Sequence, residues 1–373
     1  MIKLPESLQY RLNKRIIQGN YRTLKCYSSC AVDFISNDYL GFGRDLVFQK
    51  ELLDAVVANP KLLTGSTGSR LISGNSELIE DIETNIASLH KVEAALLFGS
   101  GYQANLALFG NLPTSKDTVI VDEFIHRSIH DGCLLSKARK WKFKHNNLQD
   151  LERLLKKASG EVYIAIESLY SMDGDLAPLE QICALARRYG AFLIVDEAHA
   201  IGVYGLGRVY SLALQDQVFA TLVTYGKAMG VHGAAVLASH KVINSLINYA
   251  TSFIYTTAIT ELMAVSIDKA YQHLFNYPDV IDKLQFVIST YHSLAPVWIR
   301  TTSGPIQTIF LSNIKDKVCL VSELETANIS TCIIVWPTVA VGTERIRICL
   351  HAFNTQKDII LLFNIINKHY ESN

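Results

Sequence analysis

Apolar residues recur at helical spacing near the N-terminus (Leu8, Leu12, Ile16, Ile17) and predict a helix over residues 6–19. A short strand over 31–36, the polar turn 36–41 and a Gly/Ser/Thr-rich loop at 64–70 follow. Residues 76–90 carry Leu78, Ile79, Ile82, Ile86 and Leu89 on one stripe and predict an amphipathic helix. From about residue 94 the pattern changes. Short apolar runs at 94–98, 119–121, 162–166, 192–195, 219–224 and 234–238 alternate with helical stretches such as 148–157 and 179–188, the latter ended by Gly190. This alternation predicts an α/β domain with a mostly parallel sheet covered by helices on both faces. Beyond about residue 275 the spacing is less regular. Runs at 306–311, 330–335 and 345–350 read as strands, and 358–364 begins a final helix. The expected organisation is an N-terminal segment (1–45), a large α/β domain (46–275) and a small α+β C-terminal domain (276–373). Neither repeats nor low-complexity segments interrupt it.

Composition narrows the class. With 49% hydrophobic and 19% charged residues, the 373-residue chain can bury a substantial core. Lys+Arg and Asp+Glu are both 35, so no net basic field draws nucleic acid or anionic lipid, and little repulsion opposes self-association. Trp141, within Lys-Trp-Lys-Phe-Lys at 140–144, accordingly reads as part of a surface strand. The seven cysteines (Cys26, Cys30, Cys133, Cys183, Cys319, Cys332, Cys349) are scattered and form no C-x-x-C pair, which argues against a disulfide framework and a structural zinc site. Cys133, Cys183, Cys349 and Met172 are expected in the core. No signal-peptide pattern opens the sequence, and no apolar run approaches the roughly 20 residues of a membrane helix. A soluble, cytoplasmic homo-oligomer is expected.

In such sheets ligands sit beyond the carboxyl ends of the strands, so the residues after each apolar run carry the candidate chemistry. After 94–98 comes Gly99-Ser100-Gly101-Tyr102-Gln103-Ala104-Asn105, a glycine turn opening a helix whose first N–H groups can hold an anion. Alone this is weak, because strand-to-helix turns use glycine anyway. After 119–121 comes His126, and a lone histidine there is more often structural than functional. After 162–166 stands Glu167, with Ser171 beyond it. After 192–195 stand Asp196-Glu197-Ala198-His199, and a carboxylate at a buried strand end requires a cation or hydrogen bonds. After 219–224 comes Tyr225-Gly226-Lys227-Ala228, a lysine among small residues. Alone it reads as a solvated lysine in a turn, yet its neighbours leave room for an ammonium to meet a bulky ligand, as Schiff-base chemistry requires. Together these strand ends match pyridoxal 5′-phosphate, whose phosphate needs the turn and hydroxyls, its aldehyde the lysine and its pyridinium the carboxylate. The glycine fingerprint of a Rossmann dehydrogenase and the clustered ligands of a metal site are both missing, so no metal is expected.

Longer motifs carry a resemblance: Ser-Asn-Asp-Tyr-Leu-Gly at 36–41, Gly-Ser-Arg-Leu-Ile-Ser-Gly-Asn at 68–75, Ser-Met-Asp-Gly-Asp at 171–175, Asp-Glu-Ala-His at 196–199 with Gly-x-x-Gly-x-Gly-Arg at 202–208, and Gly-Thr-x-Arg-Ile-Arg-Ile at 342–348. From about Tyr21 to the last helix the chain resembles the α-oxoamine synthases, a family of fold-type I pyridoxal phosphate enzymes. The resemblance implies that Lys227 bonds the cofactor aldehyde and moves the Cα proton, that Asp196 pairs with the ring nitrogen and that His126 stacks on the ring. It implies His199 and Ser171 near the ring hydroxyl, and Gly101, Tyr102 and Thr224 at the phosphate, joined by Thr257 of a neighbouring subunit in a homodimer. Arg347 would clamp the substrate carboxylate, with Arg22 and Asn37 near the substrate, and Glu167 would support the cofactor site. Strand alternation puts Arg345 and Arg347 on one face, so the choice of Arg347 rests on the family pattern.

The implied reaction is a decarboxylative Claisen condensation of an amino acid with an acyl thioester, carried by coenzyme A or acyl carrier protein. The loops around 68–75 and 226–237 favour L-alanine and a pimeloyl thioester, a step of biotin formation. Members that join serine to a palmitoyl thioester, or glycine to shorter acyl groups, are the alternatives. An aminotransferase of the same fold is a further one, and so is a non-catalytic partner subunit, which would be expected to lack the lysine. Arg127, Thr260-Glu261, Phe353-Asn354, Trp336-Pro337 and Val341 depart from the family pattern, and Arg127 and Phe353 are expected to bear on the acyl channel.

Overall fold

The computed structural model describes residues 3–27, 31–311, 314–336 and 338–371; Cys30 and Pro337 lie outside the described residues. In chain order the elements that position the site are α1 (Glu6–Ile17), β1 (Val32–Asp33), α2 (Leu46–Ala58), α3 (Glu77–His90), β2 (Ala94–Phe98), α4 (Gly101–Asn111), β3 (Thr118–Asp122), α5 (Arg127–Ser136), β4 (Arg139–Phe143), α6 (Leu148–Leu155), β5 (Val162–Glu167), α7 (Leu179–Tyr189), β6 (Phe192–Asp196), β7 (Ala220–Thr224) and β8 (Ala234–Ala238). Helices Glu261–Asn276 and Asp279–Leu294 lead to β9 (Ile306–Ile309), β10 (Ile329–Ser330), β11 (Cys332–Ile334), β12 (Arg345–Cys349) and the last helix, Gln356–Glu371.

The large sheet has the order β2-β8-β7-β6-β5-β3-β4. The pairs from β7 to β4 are parallel, and β8 runs antiparallel to both β7 and β2. Alternating side chains divide between two cores. Ile194 and Leu222 pack toward α4 and α5, while Leu193, Val195 and Ile164 pack toward α6 and α7. Burial on both faces explains why these strands read as continuous apolar runs. β4 is the exception: it lies at the sheet edge, where Arg139 is exposed and Trp141 half-buried, and charged side chains protect such an edge from further pairing.

Toward the C-terminus, β11-β12-β9 form an antiparallel sheet, with Arg347 opposite Cys332 and Thr308. β1 pairs in parallel with β10, tying residues 32–33 to this part of the chain. Cys133, Cys183 and Cys349 are buried, whereas Met172 is only half-buried, because its loop leaves the sheet before it reaches the core. No residue of α1 is fully buried, and Leu8 and Leu12 of its apolar stripe are half-buried. No described helix is long and apolar enough to cross a membrane.

Behind the carboxyl end of β3, an ionic cluster fixes three loops. His145 Nδ1 lies 2.8 Å from Asp122 and its Nε2 lies 2.7 Å from Asp175, while the Phe124 ring stacks on the imidazole at 4.5 Å. Burial opposes charge on His145, but the two carboxylates outweigh it and lift the imidazole to about 10. A pKa raised in the folded state stabilises fully below about 6.5, and that contribution is lost as pH rises through about 10. His145→Gln is expected to lower the unfolding free energy by about 2 kcal/mol at pH 7, in keeping with a buried pair that is partly open to solvent at Asp175. Urea titrations at pH 7 and above pH 10 check this; a difference that does not narrow at the higher pH would contradict it.

Candidate active site

A cavity of about 290 Å³ opens at the carboxyl ends of β5, β6 and β7. Its position follows from the topology, because the loops leaving these parallel strands converge on one side of the sheet. Lys227 reaches it from the turn after β7, with Nζ 2.7 Å from His199 Nε2. Burial pushes the amine down to about 8, and Asp196 and Glu167 partly restore its charge. His199 is buried three residues beyond the end of β6 and is held neutral, first by desolvation and then by the charges of Lys227 and Arg347.

Asp196 ends β6 and is buried. Its Oδ1 accepts from the Ala198 N–H at 2.9 Å, and its Oδ2 accepts from Asn105 Nδ2 at 2.9 Å. Glu167 is its neighbour in register on β5. Desolvation and the nearby Asp196 push the Glu167 carboxyl well above the usual range. His126 caps α5 and presents an exposed ring to the cavity. Its Nδ1 lies 2.8 Å from Ser128 Oγ, which accepts from the other Nδ2 proton of Asn105 at 2.9 Å. Asn105 therefore joins the carboxylate to the histidine through Ser128.

Gly101 begins α4, whose first-turn N–H groups have no intrahelical partner. A Cβ at Gly101 would stand 2.5 Å from Thr224 Cγ2, so glycine is what lets β7 approach this helix end. The approach brings Thr224 to the same end of the cavity, where its Oγ1 donates to the Ala198 carbonyl at 3.3 Å. Tyr102 lines the wall but is exposed, and its hydroxyl donates to Asp131 Oδ2 at 2.5 Å.

Arg347 is buried on β12 and donates from Nη2 to Asn37 Oδ1 at 2.9 Å and to the Tyr39 hydroxyl at 3.1 Å. Tyr39 lies 2.8 Å from His199 Nδ1, which connects this arginine to the cavity. Arg345, on the same face of the strand, is instead paired with Asp173, so their different partners separate two arginines that alternation could not. Ser171 does not line the cavity; its backbone N–H donates to Glu167 at 3.2 Å. Arg22 is exposed on the stretch before β1 and Thr257 is exposed after β8, and neither reaches the cavity within this chain. Arg127 pairs with Asp131 at 2.7 Å, and Phe353 stacks on His351 at 4.7 Å beneath the Arg44 guanidinium. Neither Arg127 nor Phe353 lines the cavity. Thr260 caps helix Glu261–Asn276 by accepting from the Met263 N–H at 3.1 Å, a role that a proline there could not fill.

Asn105, Ser128 and Tyr39 were not singled out by sequence reasoning. Asn105 carried a readable signal: it is a polar residue one turn after Gly101, on the same helix face. No group of three or more His, Cys, Asp and Glu among the described residues could hold a metal ion. What remains around one cavity is a buried amine of lowered basicity, a buried carboxylate, an exposed imidazole and a helix N-terminus.

A family model described as aminotransferase class I and II matches residues 31–360. The chain is 35% identical to 8-amino-7-oxononanoate synthase of Emericella nidulans, over 95% of this chain and 93% of the relative. It is 33% identical to 8-amino-7-oxononanoate synthase 2 of Bacillus subtilis, over 96% of each. Among solved structures it superposes on 8-amino-7-oxononanoate synthase of Francisella tularensis with a TM-score of 0.79, at 26% identity, over 92% of this chain and 99% of that one. It also superposes on a serine palmitoyltransferase of S. paucimobilis with a TM-score of 0.88, at 21% identity, over 98% and 97%.

Proposed function

Since the chain belongs to the α-oxoamine synthase group of the class I and II aminotransferases, we propose that it condenses L-alanine with a pimeloyl thioester to give 8-amino-7-oxononanoate, carbon dioxide and free thiol. The family's chemistry is pyridoxal phosphate-dependent acyl transfer to an amino acid. The observation that carries the assignment is the Lys227 amine, depressed by burial and held 2.7 Å from His199 in the cavity that Asp196 also lines. The residues fit the cofactor. Asn105 Oδ1 is buried with no partner among the described residues, and the Gly101–Thr224 approach makes a cradle that a side chain would fill. The relatives named 8-amino-7-oxononanoate synthase support the choice of substrates.

Bound pyridoxal phosphate supplies an electron sink for the bonds broken at the amino acid's Cα. Lys227 anchors the aldehyde and then takes the Cα proton, which its lowered basicity suits. Asp196, which lines the cavity, would pair with the ring nitrogen and keep its proton in place. His126 would stack on the ring, and His199, with Ser171 near Glu167, would serve the side of the ring hydroxyl. The Gly101–Tyr102 end of α4 and Thr224 hold the phosphate. Glu167 supports the site from behind Asp196. Arg347, with Asn37, takes the amino-acid carboxylate, and Arg22 lies toward the substrate entrance. In the reaction the Cα–acyl carbon bond forms, the carbon–sulfur bond breaks with the thiol leaving, and the Cα–carboxylate bond breaks as carbon dioxide departs. A homodimer brings Thr257 of a second copy toward the phosphate end, which accounts for its exposure here.

The test is thiol release from L-alanine, L-serine and glycine, each against pimeloyl, palmitoyl, succinyl and acetyl thioesters. L-Alanine with the pimeloyl thioester is expected to be the fastest pair. Serine with palmitoyl thioester as the best pair would replace this reading by serine palmitoyl transfer. A protein that stays colourless with added pyridoxal phosphate and releases no thiol would be a non-catalytic member.

A further inference from the structure

Tyr39 is fully buried between the two ends of the candidate site. Its hydroxyl lies 2.8 Å from His199 Nδ1, donates to Asn37 Oδ1 at 3.0 Å, and accepts from Arg347 Nη2 at 3.1 Å. On the far side of the imidazole, His199 Nε2 meets Lys227 Nζ at 2.7 Å. Donor-only groups close both ends of this chain, because an ammonium and a guanidinium accept nothing. Counting protons inward from those ends leaves a single consistent arrangement. The Lys227 ammonium donates to Nε2, so the ring proton sits on Nδ1 and is given to the Tyr39 oxygen. The one phenolic proton goes to Asn37 Oδ1, which also takes Arg347 Nη2 at 2.9 Å.

The other tautomer sets Nε2–H against an ammonium donor. It also draws the Tyr39 proton onto Nδ1, which leaves Asn37 Oδ1 with one donor fewer. Burial keeps the imidazole neutral, so the choice lies between these two tautomers alone.

We propose that Tyr39 is a positioning residue that fixes His199 as its Nδ1–H tautomer, so that a bare Nε2 receives and orients the amine of Lys227. This rests on Lys227 being the reactive amine, as proposed above. Tyr39 touches neither the cavity nor its contents, and acts through His199. Its ring also packs against His199 and His351, with centroids 6.1 and 6.3 Å away, so Tyr39→Phe keeps the packing and removes the oxygen alone.

The full-length protein without added cofactor, labelled with 15N in its histidines, reads the tautomer directly by NMR, with His199 assigned through the His199→Gln variant. The wild type is expected to show Nδ1–H, with Nε2 unprotonated. Tyr39→Phe is expected to move the tautomer ratio roughly fivefold toward Nε2–H, the scale of one net hydrogen bond. Asn37→Ala reaches the same end by another route, because Tyr39 then turns its proton onto Nδ1. A shift in either variant supports the proposal. Nε2–H as the main form in the wild type, or an unmoved ratio in both variants, overturns it. A visible absorption band on adding pyridoxal phosphate is recorded on the same samples and tests the cofactor assignment separately, so the two can fail independently.

Discussion

Lys227→Ala is expected to reduce thiol release by roughly 10⁴-fold or more, with the fold intact. The substitution removes two functions at one position. In the proposed reaction the amine would be the nucleophile that ties the cofactor aldehyde to the protein and the base that moves the Cα proton. General acid–base action alone accounts for roughly 10²–10⁴, and the loss of covalent anchoring adds to it. The fold should survive, because Nζ has His199 as its hydrogen-bond partner and the turn is held by backbone bonds, Tyr225 N–H to the Gly233 carbonyl and Gly230 N–H to the Lys227 carbonyl. The pH dependence has a definite sign. Desolvation lowers the amine to about 8, so its neutral, nucleophilic form grows as pH rises and dominates above that point, rather than above the usual lysine range. Borohydride reduction in the presence of pyridoxal phosphate should label the wild-type chain at Lys227, more readily at pH 9 than at pH 7, and should leave the variant unlabelled. Peptide mapping that finds the label on another lysine, or a variant retaining a few per cent of the activity, would remove Lys227 from the role.

The sequence made the strand ends legible because burial on both faces of the sheet turns each strand into an apolar run, and the residue after the run then falls at the carboxyl edge. Asp196, Glu167 and Lys227 were found that way, Thr224 came from the family resemblance, and all four line one cavity. The direction of β8 was not legible, because a buried strand has the same composition whichever way it runs. The separation of Arg345 from Arg347 was hidden for a similar reason: alternation fixes the face of a side chain but not its partner, and it is Asp173 against Asn37 and Tyr39 that tells them apart. Ser128 and Tyr39 were missed because their importance lies in hydrogen bonds to residues far away in the chain, a relation that no local spacing records. Ser171 was placed by motif, and within this chain its backbone N–H donates to Glu167.

Asp196→Asn is expected to lower kcat by roughly 10²–10³-fold, the range found when a preorganised electrostatic group is removed from an active site. The side chain keeps its size, so packing at the end of β6 is preserved. Its hydrogen bonds are not: Oδ2 now accepts from Asn105 Nδ2 and Oδ1 from the Ala198 N–H, and an amide can meet only one of these donors with its single oxygen. The charge is the larger loss. At present Asp196 raises both Lys227 and Glu167. Without that charge the amine of Lys227 falls further below about 8, and the Glu167 carboxyl returns toward the ordinary carboxylate range. Two measurements then separate catalysis from simple disruption. Thiol release at saturating substrates gives the drop in kcat. The pH at which Lys227 becomes reactive toward a small anhydride, followed without cofactor, should move downward in the variant, whereas a general loosening of the site would re-solvate the amine and move it upward. A kcat within tenfold of the wild type would show that Asp196 does not serve the ring nitrogen. An upward shift would show that its charge is not what holds the amine's proton.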